Sequence, residues 1–130
     1  MTQRIALVAL VVPDYDAAIA FYCGALGFDL LEDTDMGAGK RWVRVAPKAG
    51  GAALLVAKAH GPAQEAAIGN QTGGRVGFFL ETDDFARDHA AFRNKGVVFT
   101  EEPRREAYGT VGVFRDPFGN LWDLIEPAGP

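Results

Sequence analysis

A single carboxylate interrupts the last predicted strand of the chain. Asp123 lies in the segment "LWDLIE" (residues 121–126), directly after the turn "DPFGN" (residues 116–120). Alternation along a strand places Asp123 on the same face as Leu121 and Ile125, so it stands among apolar side chains. A buried carboxylate must be paired, hydrogen-bonded or protonated, because desolvation penalises its charged form. Asp123 is therefore a candidate metal ligand, catalytic base, ligand anchor or ion-pair partner.

Few other residues offer reactive or metal-binding groups. The chain has two histidines, His60 in a predicted linker and His89 on a predicted helix, and one cysteine, Cys23. One cysteine excludes an internal disulfide and a cysteine-based zinc site. We interpret Cys23 as a small packing residue of a helix and His89 as a half-buried packing residue. We find neither a phosphate-binding glycine loop nor a Ser/His/Asp arrangement.

Charge and composition exclude several classes of partner. The 130 residues carry a net charge of −4 with a pI near 5.1, which does not favour binding to nucleic acid or to an anionic membrane. The apolar run near the N-terminus ends at Pro13 and is too short to span a bilayer. We expect a cytoplasmic protein without nucleic-acid or membrane partners.

The chain repeats one plan twice, at an offset of 69 residues that places Asp14 on Asp83, Gly27 on Gly96 and Gly50 on Gly119. In each copy a buried strand leads through an aspartate cap into an amphipathic helix that a glycine ends. The second cap is Asp83 or Asp84. The predicted strands are residues 4–12, 28–33, 41–46 and 52–58, then 75–82, 97–101, 109–115 and 120–126.

The sequence therefore predicts an α+β fold built from two βαβββ modules. Module one covers residues 4–58, a glycine-rich linker covers 59–74, and module two covers 75–127, all within one domain spanning 1–130. The linker has a short helical turn predicted near Gln64–Ile68.

Two segments, "VVPDYDAAIAFYCGALGF" (11–28) and "FRDPFGNLWDLIEP" (114–127), carry a family resemblance. They resemble the vicinal oxygen chelate superfamily: glyoxalase I, extradiol dioxygenases, fosfomycin-resistance enzymes and bleomycin-binding resistance proteins. The resemblance implies two curved sheets that form a cup, and metal ligands, in metal-dependent members, on the first and last strands of the modules. It also implies a homodimer, either with modules of two chains sharing a cup or with two cups paired edge to edge.

The resemblance places the four metal-ligand positions on Leu7, Leu54, Val76 and Asp123. Three are aliphatic, and one carboxylate cannot hold a divalent cation at useful affinity. We therefore expect neither a metal nor another cofactor. The alternative is Ni, Zn, Fe or Mn held by Asp123 together with His60, Glu81 or Glu126 after a one-residue register shift. His60 or Glu81 pointing into the cup near Asp123 would lead us to abandon the metal-free interpretation.

Strand alternation predicts an apolar cup around Asp123. The residues predicted on its side are Leu7, Ala9, Val11, Leu54, Val56, Val76, Phe78 and Leu80. The candidate partners of its carboxylate are Arg41, Arg44, Arg75 and Tyr108. Either Asp123 forms a salt bridge with no chemical role, or it anchors an amine or hydroxyl of a ligand, or it acts as a base with a raised pKa.

The preferred interpretation is a metal-free binder of a small, partly apolar organic molecule that resembles bleomycin-resistance-type proteins. The predicted ligand-binding residues are Arg41, Trp42, Asn70, Gln71, Phe78, Tyr108 and Asp123. Several have plainer roles open to them: Trp42 as a sheet residue, Arg41 on a solvated strand, and Asn70 and Gln71 in an ordinary linker. The alternative is a metal-dependent, glyoxalase-like lyase or isomerase, or a dioxygenase, with Asp123 as a catalytic residue. A third interpretation is a domain whose small-molecule site has decayed and which acts through protein contacts.

Overall fold

The structure, a computed structural model, describes residues 2–129, so the first and last positions of the predicted 1–130 domain lie outside it. The chain divides into two compact units with the boundary between Ile68 and Gly69. Within residues 2–129, no helix has both the length and the apolar character needed to cross a membrane.

Unit 1 is a four-stranded sheet with a helix. Its elements are β1 (Leu7–Val12), α1 (Tyr15–Ile19) continued by a π-helical segment (Ala20–Ala25), β2 (Asp29–Gly37), β3 (Lys40–Ala46), β4 (Ala53–Lys58) and α2 (Pro62–Ala67). The strand order is β1-β4-β3-β2, in which β1 pairs with β4 in parallel and the other pairs are antiparallel.

Unit 2 repeats this topology in a five-stranded sheet. Its elements are β5 (Phe78–Glu81), α3 (Phe85–Asn94), β6 (Val98–Phe99), β7 (Arg104–Glu106), β8 (Gly109–Arg115) and β9 (Leu121–Pro127). The order is β5-β9-β8-β6, with β7 as an additional partner of β8. The prediction of an α+β fold with two sheets built on one plan is confirmed.

Helices α1, with its π-helical continuation, and α3 each begin at an aspartate cap and end at a left-handed glycine. Asp14 accepts a hydrogen bond from the N–H of Ala17 at 2.8 Å, and Asp84 accepts one from the N–H of Arg87 at 3.0 Å. Gly27 has φ = 78° and Gly96 has φ = 88°, a conformation that glycine adopts without strain. The two caps are therefore 70 residues apart, although the two glycines are 69 apart, and the alignment of Asp14 on Asp83 was wrong by one residue.

The cores of the two units differ in chemistry. In unit 1 the fully buried sheet residues are aliphatic: Leu10, Val12, Val43, Val45 and Val56. In unit 2 the core is mainly aromatic, and its centre is a stack of Phe78 on Trp122 (4.5 Å between ring centroids) and of Trp122 on Phe114 (5.7 Å). His89 lies between Phe85 and Phe99, and its burial, together with Arg93, lowers the pKa of its imidazole.

Asp116 organises the turn that leads into β9. Its carboxylate accepts hydrogen bonds from the backbone N–H groups of Phe118 and Asn120, from the Asn120 amide, and from Nε1 of Trp122 at 3.2 Å. Gly69 packs directly against this turn. The turn fixes the start of β9 and therefore the face to which Asp123 points.

Candidate functional site

The register of β9 places Asp123 on the open face of the unit 2 sheet. Asp123 lies opposite Phe79 on β5 and opposite Val113 on β8, and residues opposite each other share a face. Two residues further along, Ile125 lies opposite Glu81. The residues directly opposite Asp123 are therefore apolar, whereas Glu81 lies further along the same face. The side chain of Phe79 is 63% exposed.

The predicted face of Phe78 and Leu80 was wrong. Phe78 pairs with Trp122 and stacks on it, so it belongs to the core on the opposite side of the sheet from Asp123. The cause is the one-residue difference in the repeat, because a slip of one residue exchanges the two faces of a strand. Counted from the cap Asp84, the counterpart of Leu7 is Gly77 rather than Val76.

The same correction applies to the last strand of unit 1. Leu7 lies opposite Ala53, whereas Leu54 lies opposite Val8. Leu54 and Val56 therefore belong to the buried face of β4 and not to the face of Leu7. The prediction that put Leu7 and Leu54 on one face was wrong, but the residue types at these positions remain aliphatic or small.

One oxygen of the Asp123 carboxylate has no hydrogen-bond partner. Its Oδ1 atom is buried and accepts no hydrogen bond from any residue between positions 2 and 129. Burial raises the pKa of the Asp123 carboxyl above its usual range, Arg104 opposes this rise, and Glu101 adds to it. Arg104 is itself paired with Glu101 at 3.0 Å and with Glu106 at 2.7 Å.

The arginines predicted as partners of Asp123 are engaged elsewhere. Arg41 bridges Asp16 at 2.9 Å and Asp33 at 2.7 Å, and these hydrogen bonds hold the pKa of Asp33 below its usual range. Arg44 pairs with Glu32 at 3.0 Å. Arg41 and Arg44 therefore have carboxylate partners within unit 1, and a salt bridge from Asp123 to either of them stays a prediction.

The other predicted partners do not reach the buried oxygen either. In the described part of the chain, neither Arg75 nor Tyr108 donates a hydrogen bond to Oδ1 of Asp123. The side chain of Tyr108 is 55% exposed, and its backbone carbonyl accepts a hydrogen bond from the N–H of Ala128 at 2.9 Å. Tyr108 thus lies at the end of the β8–β9 hairpin.

The residues around Asp123 do not fit a resident metal. Across positions 2–129, no three His, Cys, Asp or Glu side chains come together in a way that could hold an ion. Glu126 accepts a hydrogen bond from the N–H of Phe85 at 2.8 Å, and His60 lies exposed before α2. Glu81 does share the face of Asp123, which is the placement expected to overturn the metal-free interpretation. Two carboxylates are nevertheless too few donors for a divalent ion, so the metal-free interpretation is retained as a proposal.

A second concave region lies in unit 1. A cleft of about 630 Å³ opens between the start of β3 and the end of β4. Its lining residues are Tyr15, Ala38, Gly39, Lys40, Arg41, Trp42, Leu55, Val56, Ala57, Lys58, Ala59, His60 and Gln64. Arg41 and Trp42 are the two members of the predicted ligand set that the structure brings together here. Tyr15, Lys40 and Lys58 were not predicted, although Lys40 directly precedes the predicted Arg41.

The remaining predicted ligand-binding residues belong to unit 2. Asn70 and Gln71 lie exposed in a turn, where the carbonyl of Asn70 accepts a hydrogen bond from the N–H of Gly73 at 3.1 Å. Cys23 is half-buried, and burial together with Asp29 raises the pKa of its thiol, so the thiol stays protonated. The role of Asn70 and Gln71 in ligand binding stays a prediction.

Comparison with known proteins identifies the relatives of this chain. A protein of Shewanella frigidimarina, described as uncharacterized, is 52% identical over 128 residues, which cover 97% of this chain and 95% of the relative. Among solved structures, UcmS2 is 30% identical with a TM-score of 0.82 and covers 96% of this chain and 98% of its own.

TnmS3, described as an antibiotic binding protein from Streptomyces sp. CB03234, is 31% identical, with a TM-score of 0.79 and 98% of each chain covered. The sequence profile of the Glyoxalase/Bleomycin resistance protein/Dioxygenase superfamily matches residues 4–124. The topology, the aspartate-capped helices and this match agree, and the chain belongs to that superfamily.

Proposed function

We propose that this protein is a metal-free binder of a small, partly apolar organic molecule, and that Asp123 anchors a donor group of that molecule. One observation carries the proposal: Oδ1 of Asp123 is buried on an apolar face and has no donor among residues 2–129. Leaving a buried acceptor unsatisfied is costly, so such a group needs a donor from outside the described chain. A ligand amine or hydroxyl would supply the missing hydrogen bond.

The apolar residues around Asp123 suit the rest of such a ligand. Phe79, Val113 and Ile125 share its face, and they supply the hydrophobic wall that is typical of small-molecule sites. Burial disfavours the ionised form of the Asp123 carboxyl and so raises its pKa, and a cationic group bound beside it would offset this cost. An amine is therefore the preferred donor.

The comparison with solved structures supports the binding role. TnmS3 is described as an antibiotic binding protein, and it matches this chain over 98% of its length. We carry over only the general role, a protein that sequesters an organic molecule. Which molecule this chain binds is left to the screen described below.

We also propose a cytoplasmic homodimer in which both units contribute to one functional domain. The single cysteine suits a reducing compartment. Phe79 and Val98, both more than half exposed, leave apolar surface on the unit 2 sheet that a second copy would cover. Sedimentation velocity at several protein concentrations tests the dimer, and a monomer at all concentrations would contradict it.

The alternative function is a metal-dependent lyase, isomerase or dioxygenase. Glu81 favours this alternative, because it lies on the face of Asp123 and only one strand away. Asp123 and Glu81 would then be two of the ligands, and further donors would have to come from outside the described arrangement. The divalent ion would polarise a substrate oxygen in such an enzyme.

One pair of measurements separates these functions. Metal content by plasma mass spectrometry is compared for the unmodified chain and for Asp123→Ala, in protein purified without chelator or histidine tag. We expect much less than one equivalent of Ni, Zn, Fe, Mn or Co in both proteins. A near-stoichiometric metal that disappears in Asp123→Ala would establish the alternative.

The second measurement is a thermal-shift screen with aromatic amines and with matched compounds in which a methyl group replaces the amine. We expect the amines to raise Tm in the unmodified chain and not in Asp123→Asn. Glu102→Gln, which removes an exposed carboxylate of the same unit, is the control and should behave as the unmodified chain. Equal shifts in Asp123→Asn would show that Asp123 is not the anchor.

A further inference from the structure

The two central strands of the unit 1 sheet separate at one end. The ladder between β3 and β4 ends at the pair Val43 and Val56, but β3 begins earlier, at Lys40, and β4 continues to Lys58. The ends of the two strands therefore lie side by side without pairing. This separation forms the cleft of unit 1.

A buried tyrosine supports the cleft. Tyr15, the first residue of α1, is only 7% exposed, and its hydroxyl accepts a hydrogen bond at 3.2 Å from the backbone N–H of Arg41 rather than leaving that donor to β4. The guanidinium carbon of Arg41 lies 5.2 Å from the centre of the Tyr15 ring. Because these contacts satisfy the open end of β3, the cleft is a built feature of the fold.

The charges that line the cleft have one sign. Lys40, Arg41 and Lys58 line it, and no Asp or Glu does. Arg41 is paired with two carboxylates, Asp16 and Asp33, so it adds no net positive charge to the cleft. Lys40 and Lys58 are exposed, and neither forms a salt bridge with another residue of the described chain. In a protein with a net charge of −4, two uncompensated ammonium groups at one cleft form a local site for an anion.

The apolar part of the lining suits a flat ring. Trp42, Leu55 and Ala57 line the cleft and are neither fully buried nor fully exposed. An indole presents a broad planar surface that stacks on aromatic ligands. At the other side of the cleft, His60 donates its backbone N–H to the side chain of Gln64 at 2.8 Å, which holds the segment before α2 in place.

We propose that this cleft binds a flat organic anion, with its ring against Trp42 and its carboxylate, sulfonate or phosphate between Lys40 and Lys58. This site goes beyond the function proposed above, because it lies in unit 1 and selects the opposite charge. Asp123 attracts a cation or a neutral donor, whereas the cleft attracts an anion. The two sites can therefore fail independently.

Two-dimensional ¹H–¹⁵N NMR of the intact protein tests the proposal, because the chain has two tryptophans and hence two indole N–H signals. Trp42→Phe identifies the signal of Trp42. The probe is 2-naphthalenesulfonate, and its matched control is 2-naphthalenesulfonamide, which has nearly the same shape without the charge. We expect saturable movement of the Trp42 signal with the sulfonate, while the signal of the buried Trp122 stays in place.

Charge removal makes the test specific. In Lys40→Gln/Lys58→Gln we expect binding of the sulfonate to weaken by about five- to tenfold, since each exposed ion pair contributes modestly. Binding of the sulfonamide should not change. Lys95→Gln, at an exposed lysine of unit 2, is the matched control and should bind the sulfonate as the unmodified chain does.

Three results would overturn the proposal: a Trp42 signal that does not move, equal affinity for the two probes, or no effect of the double substitution. Retained spectral dispersion in each variant shows that it is folded. Binding of the sulfonate to Asp123→Asn separates the two proposals. If that variant binds the sulfonate normally but loses the amine response, the cleft and the Asp123 site are distinct.

Discussion

Unit 1 and unit 2 use the same strand order around cores of different composition. Val43 in β3 of unit 1 corresponds to Gly112 in β8 of unit 2. Val43 lies opposite the buried Val56 of β4, and Gly112 lies opposite the buried Leu124 of β9. A Cβ atom at Gly112 would lie 2.9 Å from the ring of Phe85. The glycine thus makes room for aromatic side chains on the unit 2 sheet, whereas the valine completes an aliphatic sheet face in unit 1, where buried aromatic residues such as Tyr22 come from the helix. The strand order does not depend on which of these solutions fills the core.

The open faces differ in a second way. In unit 1 the arginines Arg41 and Arg44 are matched by carboxylates within 3.0 Å. In unit 2, Arg104 is matched by Glu101 and Glu106, and Asp123 is left over. Asp123 is thus a charge in unit 2 that the surrounding structure does not balance. Such local inconsistencies are expected at functional positions.

The largest effect should come from the aromatic core. We expect Trp122→Ala to lower the free energy of unfolding by about 4 kcal/mol, because it removes the ring between Phe78 and Phe114 and the hydrogen bond to Asp116. Leu54→Ala, at the matching place in unit 1, should lower it by about 2–3 kcal/mol. Urea unfolding followed by circular dichroism measures both. Equal losses would mean that the aromatic stack adds nothing beyond the volume it fills.

The second largest loss of stability should come from the turn before the last strand, on which another segment packs in unit 2 but not in unit 1. Gly69 packs on the turn before β9, and a Cβ atom there would lie 2.1 Å from the carbonyl oxygen of Phe118. Gly50, in the turn before β4, has no atom within 4 Å of such a Cβ. We expect Gly69→Ala to lower the free energy of unfolding by about 2–3 kcal/mol, through backbone strain and this clash.

Gly73→Ala is the matched control, because Gly73 has φ = 75°, close to the 69° of Gly69, but open space around it. Strain alone should lower the free energy of unfolding there by about 1 kcal/mol. Thermal unfolding of the two variants under identical conditions measures the difference. If both variants lose the same amount, the packing of Gly69 on the turn is not a stabilising contact.

Most of the fold could be predicted because its signals are local. The caps at Asp14 and Asp84, and the left-handed glycines Gly27 and Gly96, mark the ends of the helices in the sequence itself. Repetition of these signals then predicted the βαβββ plan. The one ambiguity was the pair Asp83 and Asp84, since both are good caps and only the folded backbone selects between them.

The site was less predictable for a related reason. Placing Phe78 required the strand register to within one residue, and the error in the cap carried directly into the face of β5. The partners of Arg41 were also not predictable, because Asp16 and Asp33 come from α1 and β2 and meet only in three dimensions. The missing partner of Asp123 was not predictable either, because it is recognised only once the folded structure shows which acids pair with the cations.

The smallest expected effect concerns Asp123 and tests whether its carboxylate lowers the stability of the folded chain. We expect Asp123→Asn to raise the free energy of unfolding at pH 7 by about 1 kcal/mol, because it removes a charge whose oxygen is buried without a partner. The same change should abolish the amine response proposed above. Gain of stability with loss of binding is the pattern of a residue kept for function.

The raised pKa of Asp123 determines how the stability gain of Asp123→Asn changes with pH. The pKa of Asp123 is raised in the folded chain above its ordinary value of 3.8, so the folded state holds more protons on this group than the unfolded state between those two values. Ionisation therefore lowers stability as the pH rises through this window. The advantage of Asp123→Asn should be near zero at about pH 3 and should grow to its full size above the folded pKa. An advantage that is already complete at pH 3 would mean that the carboxylate charge is not its cause. The gain would then come from a hydrogen bond made by the amide.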